Sequence, residues 1–325
     1  MTNALSTAVA VCTLAVLGTG LLAGCGGSGD QGTSRQMDMV TVNWIEGLAM
    51  TYMQEQILEN RYDMEVDVRE VQGGGIAFSS VASGDRDFFN EAWLPTTHEG
   101  PWGEQKDQLQ KLGYTYRGTT AGLAVPAYMD IEHVSELGTF REALDGEING
   151  IESGANVNDQ ARQILKNNDV EGFSVVASSG PATWQALQTA INNEEPIVVT
   201  GWQPHWKWSE FDLKYLEGAQ TGQTDVFGAP EDVFTIVGND FIERYPREVV
   251  CFLQEFEAND EQVGSLMFAF KDRGDMSQEE AMQQWIDNNP DHVDQWISQA
   301  EECAASDAPL EYLPDDATHS ASSDA

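Results

Sequence analysis

The sequence predicts an α/β protein folded as two lobes around a cleft. Short apolar runs alternate with helical segments from about Asp38 onward, and the same alternation starts again near Ala121. A chain of 325 residues also has the length for about two domains.

Taken in order, residues 39–44 read as a strand and 48–58 as a helix, with Leu48, Tyr52 and Gln56 on successive turns. Residues 64–71 alternate as a strand, Gly73-Gly74-Gly75 lead into a short helix, and residues 87–93 form the next strand before a Pro-containing loop. In the second unit, residues 122–126, 148–152, 173–177 and 197–202 read as strands, with helices near 157–167 and 181–192 between them. One more strand, 233–237, precedes a helical C-terminus in which 278–285 and 292–301 carry amphipathic spacing. The expected division is a first lobe at 38–122, a second at 123–227, and a return to the first with C-terminal helices at 228–305. Residues 306–325 read as an acidic disordered tail.

Charge narrows the partners. Against 16 Lys and Arg stand 54 Asp and Glu, a formal −38, which repels nucleic acid and anionic lipid. A salt-adapted, halophilic surface is the expected reading of it. At the N-terminus, residues 8–23 are apolar and small, too short for a comfortable membrane span. They end in Leu21-Leu22-Ala23-Gly24-Cys25, which resembles a lipoprotein signal cleaved at residue 24, although residues 1–6 lack the usual basic charge. The expectation is a lipid on Cys25, a Gly- and Ser-rich tether over 25–37, and a monomer on the outer face of the cell membrane, or periplasmic. In such an oxidising compartment Cys251 and Cys303 are candidates for a disulfide.

No signature of catalysis stands out. G-x-S-x-G, HExxH and GxxxxGK[ST] are absent, and the one GxGxxG, at residues 24–29, straddles the expected cleavage site and tether. No CxxC or Cys-His spacing offers a metal site, so no catalytic residue, metal or cofactor is expected. Gly73-Gly74-Gly75 read either as an anion cradle or as a tight turn.

The chemistry lies in the tryptophans. Trp44, Trp93 and Trp202 each sit at the carboxyl end of a predicted strand, where open α/β sheets bind their ligands. A quaternary ammonium has no N–H to donate, so aromatic faces are what attract its spread charge, at about 0.5–2 kcal/mol per face. Core packing is the alternative for each ring. Trp184, Trp285 and Trp296 fall on predicted helices and read as packing, while Trp102, Trp206 and Trp208 lie near the loops.

The strings Glu91-Ala92-Trp93-Leu94-Pro95-Thr96-Thr97-His98, Gly122-Leu123-Ala124-Val125-Pro126, Gly150-Ile151-Glu152, Gly201-Trp202-Gln203-Pro204-His205-Trp206 and Asp212-Leu213-Lys214-Tyr215-Leu216 occur in one order along the chain. Together they resemble the substrate-binding subunits of glycine betaine, proline betaine and choline ABC importers. The resemblance runs from about Val40 to Trp296. It implies a hinged, type II periplasmic-binding-protein-like fold and delivery of an osmolyte to a permease. It also implies an ammonium box of Trp93 and Trp202, with Trp44 matching a box position of the choline-binding members. Where those members add a Tyr, this chain reads Ala121-Gly122.

For the carboxylate end of betaine, the resemblance points to backbone amides at Ile45 and Glu46 and to the imidazole of His205. A structural His bonded within its loop is the other reading of His205, and His98 carries the same ambiguity. An inward Glu46 would suit the hydroxyl of choline. The direction of Glu46 is left open by the sequence; exposed Glu is the commoner state and an imidazole suits a carboxylate better than a hydroxyl, so betaine is expected over choline. A two-lobed secreted enzyme is the alternative from another class.

Overall fold

The computed structural model describes residues 33–317. The expected leader and Cys25 lie outside the described residues, as does the chain beyond Ala317.

The first half of the chain runs β1 (Gln36–Val42), α1 (Ile45–Tyr62), β2 (Glu65–Val71), α2 (Gly74–Ala82), β3 (Phe88–Leu94), α3 (Glu99–Gln105) and β4 (Leu109–Pro126). After a 3₁₀ turn (Val134–Phe140) come β5 (Glu147–Asn149), α4 (Asn156–Asn167), β6 (Ser174–Val176), α5 (Gly180–Asn193), β7 (Val199–Gln203), α6 (Lys207–Glu210) and β8 (Leu213–Gln220). The chain then returns through β9 (Glu231–Gly238), α7 (Phe241–Arg244), α8 (Arg247–Glu255), α9 (Asp260–Lys271), α10 (Gln278–Asn288) and α11 (Pro290–Ala305).

Strand pairing makes the two-lobed α/β plan. One group runs β2-β1-β3-β9-β4 and the other β4-β7-β5-β6, with β8 also on β4. Strand β4 belongs to both: its residues 109–119 pair with β9 and 120–124 with β7. Parallel pairing of β1 with β2 and β3, and of β5 with β6 and β7, requires the crossover helices that the alternating sequence announces.

The first part of β4, and all of β8, lack a strand signal in the sequence. Register shifts interrupt β4 around Lys111, Tyr114 and Tyr116, so its side chains do not keep a period of two. Helix α1 is the opposite case, longer than its sequence pattern. It lies against α9 and α10 as well as the sheet, so it is buried on nearly every side. Its polar residues are paired across the core: Thr51 Oγ1 donates to Asn90 Oδ1 at 3.0 Å and Asn90 Nδ2 to Gln54 Oε1 at 2.7 Å. Asp63, left-handed at φ 53°, ends the helix. Helix α10 starts where Ser277 and Glu280 form a reciprocal capping box.

Two C-terminal features were decided by the fold. Cys251 of α8 and Cys303 of α11 are joined by a disulfide, with Cα atoms 5.7 Å apart. Residues 306–317, expected as part of a disordered tail, are instead held against α8 and β4, a correction to that expectation. Leu313 N–H donates to Lys111 O at 2.9 Å, and Lys111 Nζ reaches the carbonyls of Asp315 and Ala317 at 3.0 and 3.1 Å. Lys111 is buried, so its ammonium needs those carbonyls, and that need holds the segment down.

One buried acid works against the fold. Glu55 of α1 is 8% exposed, and its Oε2 has no hydrogen-bond partner. Burial first, then Glu59, Glu279 and Asp67, push its pKa up to about 8. A raised carboxyl contributes its full stability below the unfolded value and loses it as pH rises toward about 8. Glu55→Gln is therefore expected to match the parent near pH 4.5 and to exceed it at pH 8 by about 1–3 kcal/mol. Urea denaturation at the two pH values measures this; a variant less stable at pH 8 would contradict it.

Candidate functional site

Trp44, Trp93 and Trp202 come together around one cavity. Trp44 is the residue before α1, in extended conformation, so the turn out of β1 directs its ring. Trp93 lies near the end of β3, a strand buried at every position. Trp202 lies near the end of β7, across from Ala121 of β4. All three rings are buried.

From the first strand group, Trp44, Glu46, Trp93, Thr97 and His98 wall the cavity; from the second, Ala121, Ile151, Ala155, Asn156, Val157 and Trp202. The space open to the centre of a water-sized sphere is about 40 Å³. Asn156 Nδ2 donates to Thr97 O at 2.6 Å, tying the two sides together beside it. The glycine run closes the same seam: a Cβ on Gly73 would lie 2.8 Å from Gly154 O. Close approach is thus the use the structure makes of Gly73.

His98 shapes one wall. Its Nδ1 accepts the Trp93 N–H at 3.0 Å, which leaves the proton on Nε2. Its ring stacks on Trp44 at 5.7 Å between centroids, and burial drives its pKa down to about 3, so it is neutral. A Cβ on Gly74 would stand 2.6 Å from His98 Nε2, so only glycine leaves room for the ring there.

Glu46 takes the inward of the two directions that the sequence left open. It is 2% exposed and faces the cavity rather than solvent. Burial pushes its pKa up to about 7, against the pull of its own backbone N–H at the start of α1, of Lys207, and of the Trp202 indole. That indole N–H lies near the carboxylate without meeting hydrogen-bond geometry, and Nε1 of both Trp44 and Trp202 has no partner. Behind Glu46 sits Glu91, fully buried, which accepts from Trp93 Nε1 at 2.9 Å. Burial, then the neighbouring Glu46 charge, raise the Glu91 pKa well above the usual range. Gly47 makes room for it, since a Cβ there would meet Glu91 Cγ at 2.6 Å.

His205 lies one layer back. Its Nδ1 accepts the Lys207 N–H at 3.2 Å, and its ring packs edge-on to Trp202 and against Trp184 rather than walling the cavity. Ile45 opens α1, where first-turn N–H groups lack intrahelical acceptors, and is half-buried beside the cavity walls. Lys207 and Glu91 were not singled out by the sequence. A Lys after PHW reads as surface, and nothing local marks it as buried. Glu152, without an evident partner in sequence, accepts the Gly180 N–H at 3.0 Å.

Residues 37–288 match the family model described as the substrate binding domain of the ABC-type glycine betaine transport system. The chain belongs to this family. A curated relative, the glycine betaine/carnitine transport binding protein GbuC of Listeria monocytogenes serotype 1/2a (strain 10403S), is 33% identical over 174 residues. That match spans 53% of this chain and 56% of the relative, so little more than half of that protein's length is matched. Among solved structures, lactococcal OpuAC in its closed-liganded conformation with glycine betaine is 28% identical, covering 81% of this chain and 99% of its own, at TM-score 0.71. An ABC-transporter choline binding protein in complex with choline is 25% identical, covering 83% and 98%, at TM-score 0.72. The family is one of solute-binding proteins, and its fold class matches the two-lobed plan above. No helix among the described residues is long and apolar enough to cross a membrane.

Proposed function

We propose that this family member captures a quaternary ammonium osmolyte, glycine betaine first, between Trp44, Trp93 and Trp202 and delivers it to the permease of an ABC importer. The observation that carries the reading is the convergence of these three buried rings on one cavity that also presents a carboxyl group. A trimethylammonium group suits such walls: it is attracted to the faces and asks for no hydrogen bond. The unpartnered indole N–H groups of Trp44 and Trp202 supply donors for the other end of a betaine. Choline is the second reading, favoured by the inward Glu46, whose ionised form accepts from a hydroxyl. The protein acts as a binder without turnover, exported as a lipid-anchored monomer.

Calorimetry of the mature chain in molar salt tests this against glycine betaine, choline, proline betaine and unmethylated glycine. One saturable site for the methylated compounds, with the ligand recovered unchanged, is expected. Folded protein that binds none of them, or that consumes one, would overturn the reading.

A further inference from the structure

Glu231 opens β9, the strand on which the chain returns to the first strand group, and it is 1% exposed. It pairs with Thr119, the last residue of β4 to pair with β9, since Thr120 already pairs with β7. The Thr119 hydroxyl donates to Glu231 O at 3.0 Å. Glu231 therefore stands where the two strand groups meet. Its carboxylate serves one turn, between β3 and α3. The N–H groups of Thr96 and Thr97 donate to Oε1 at 2.5 and 2.7 Å, and the Thr97 hydroxyl donates to Oε2. A buried carboxylate is tolerated only with such donors, so turn and strand are held as one piece.

That turn carries part of the ligand site. Trp93 and His98 flank it and are joined by two bonds, Trp93 N–H to His98 Nδ1 at 3.0 Å and His98 N–H to Trp93 O at 2.9 Å. Trp93, Thr97 and His98 all wall the cavity. The Thr97 carbonyl accepts from Asn156, which walls the cavity from the second group. Gly228, at φ 63°, packs against the turn as well, where a Cβ would collide with the Thr96 side chain.

We propose that Glu231 is a positioning residue for ligand capture: it fixes the Thr96–Thr97 turn so that Thr97 walls the cavity and clasps Asn156 across it. The inference rests on the quaternary-ammonium reading above. Glu231 itself lies outside the cavity walls, and its effect runs through Thr97. Three donors converge on one side chain, so the turn has one placement in which all of them are met. Released from Glu231, those donors turn to water and the Thr97 carbonyl leaves Asn156 part of the time. Only a fraction of molecules then presents the complete cavity, and the apparent dissociation constant rises in inverse proportion to that fraction. The clasp also bridges the two strand groups around a bound ligand, so its loss shows as faster release.

The test measures glycine betaine affinity by calorimetry and release by stopped-flow tryptophan fluorescence. It compares the parent, Glu231→Ala, Glu231→Gln, Asn156→Ala and the Glu231→Ala, Asn156→Ala double variant, with folding checked by circular dichroism. Glu231→Ala is expected to raise the Kd about tenfold or more, as when about a tenth of the molecules keep the turn in place. Most of that loss should appear as faster release. Glu231→Gln retains an oxygen for both N–H groups and an amide for the Thr97 hydroxyl, so it should recover most of the loss. In the Asn156→Ala background, Glu231→Ala should cost less, because the clasp it positions is already gone. A Glu231 that serves only the fold would lower the melting temperature of the Ala variant and leave its Kd unchanged. That result would overturn the proposal, as would a Gln variant as poor as the Ala variant, or fully additive losses. Should Glu231→Ala fail to fold, hydrogen exchange in the parent decides. Saturating betaine should slow exchange at the Thr96 and Thr97 amides, and equal exchange with and without it would overturn the proposal. A parent that binds no methylated ammonium removes the quaternary-ammonium reading and this inference with it. A parent that binds, with the Kd unmoved in Glu231→Ala, removes the positioning role alone.

Discussion

Trp202→Ala is expected to weaken glycine betaine binding by about 100-fold, close to 2.7 kcal/mol. Three losses combine. The ligand's ammonium loses one desolvated indole face, the largest single attraction open to it. The cavity loses the wall that β7 holds opposite Ala121. Lys207, already without a hydrogen bond, loses one of its two aromatic partners. Trp202→Phe keeps a weaker face and should cost about tenfold. Calorimetry on variants shown to be folded separates the two. Equal losses for Ala and Phe would mean that the site does not draw on the indole face.

The second large effect concerns salt. With a formal charge of −38, the folded chain repels itself, and condensing those charges costs more than leaving them on an expanded chain. Salt shortens the range of that repulsion from about 10 Å at 0.1 M to about 3 Å at 1 M. Glu59, Glu279 and Asp67 stand close enough to Glu55 to add to the upward push on its pKa. Relief of several kcal/mol, at about 2–4 °C per kcal/mol for a chain of this size, predicts a melting temperature about 10 °C or more higher in 2 M than in 0.1 M salt. Thermal melts followed by circular dichroism in sodium and potassium chloride measure it. A melting temperature that is flat or falls across that range would contradict the screening argument.

Much of this protein was legible before any coordinates. Alternation of apolar runs and helical segments located β1 to β3, the end of β4, β5 to β7, β9 and the helices α1, α2, α4 and α5, because strand and helix periods are local properties of a sequence. The three tryptophans were found by position, since the carboxyl ends of strands are where such sheets open. Tertiary structure alone decided the rest. The long β4 needed register shifts that erase its period, and the end of the described chain lies down because a distant Lys111 needs the carbonyls of Asp315 and Ala317. The direction of Glu46 could not be read locally either. An acid goes inside only where groups far along the chain make burial tolerable, and here those are Lys207 on α6 and the Trp202 indole on β7, side chains that the fold brings together. The sequence by itself therefore determined which rings converge on the cavity, while the charge beside them was decided by packing between segments that do not know of one another until the chain is folded.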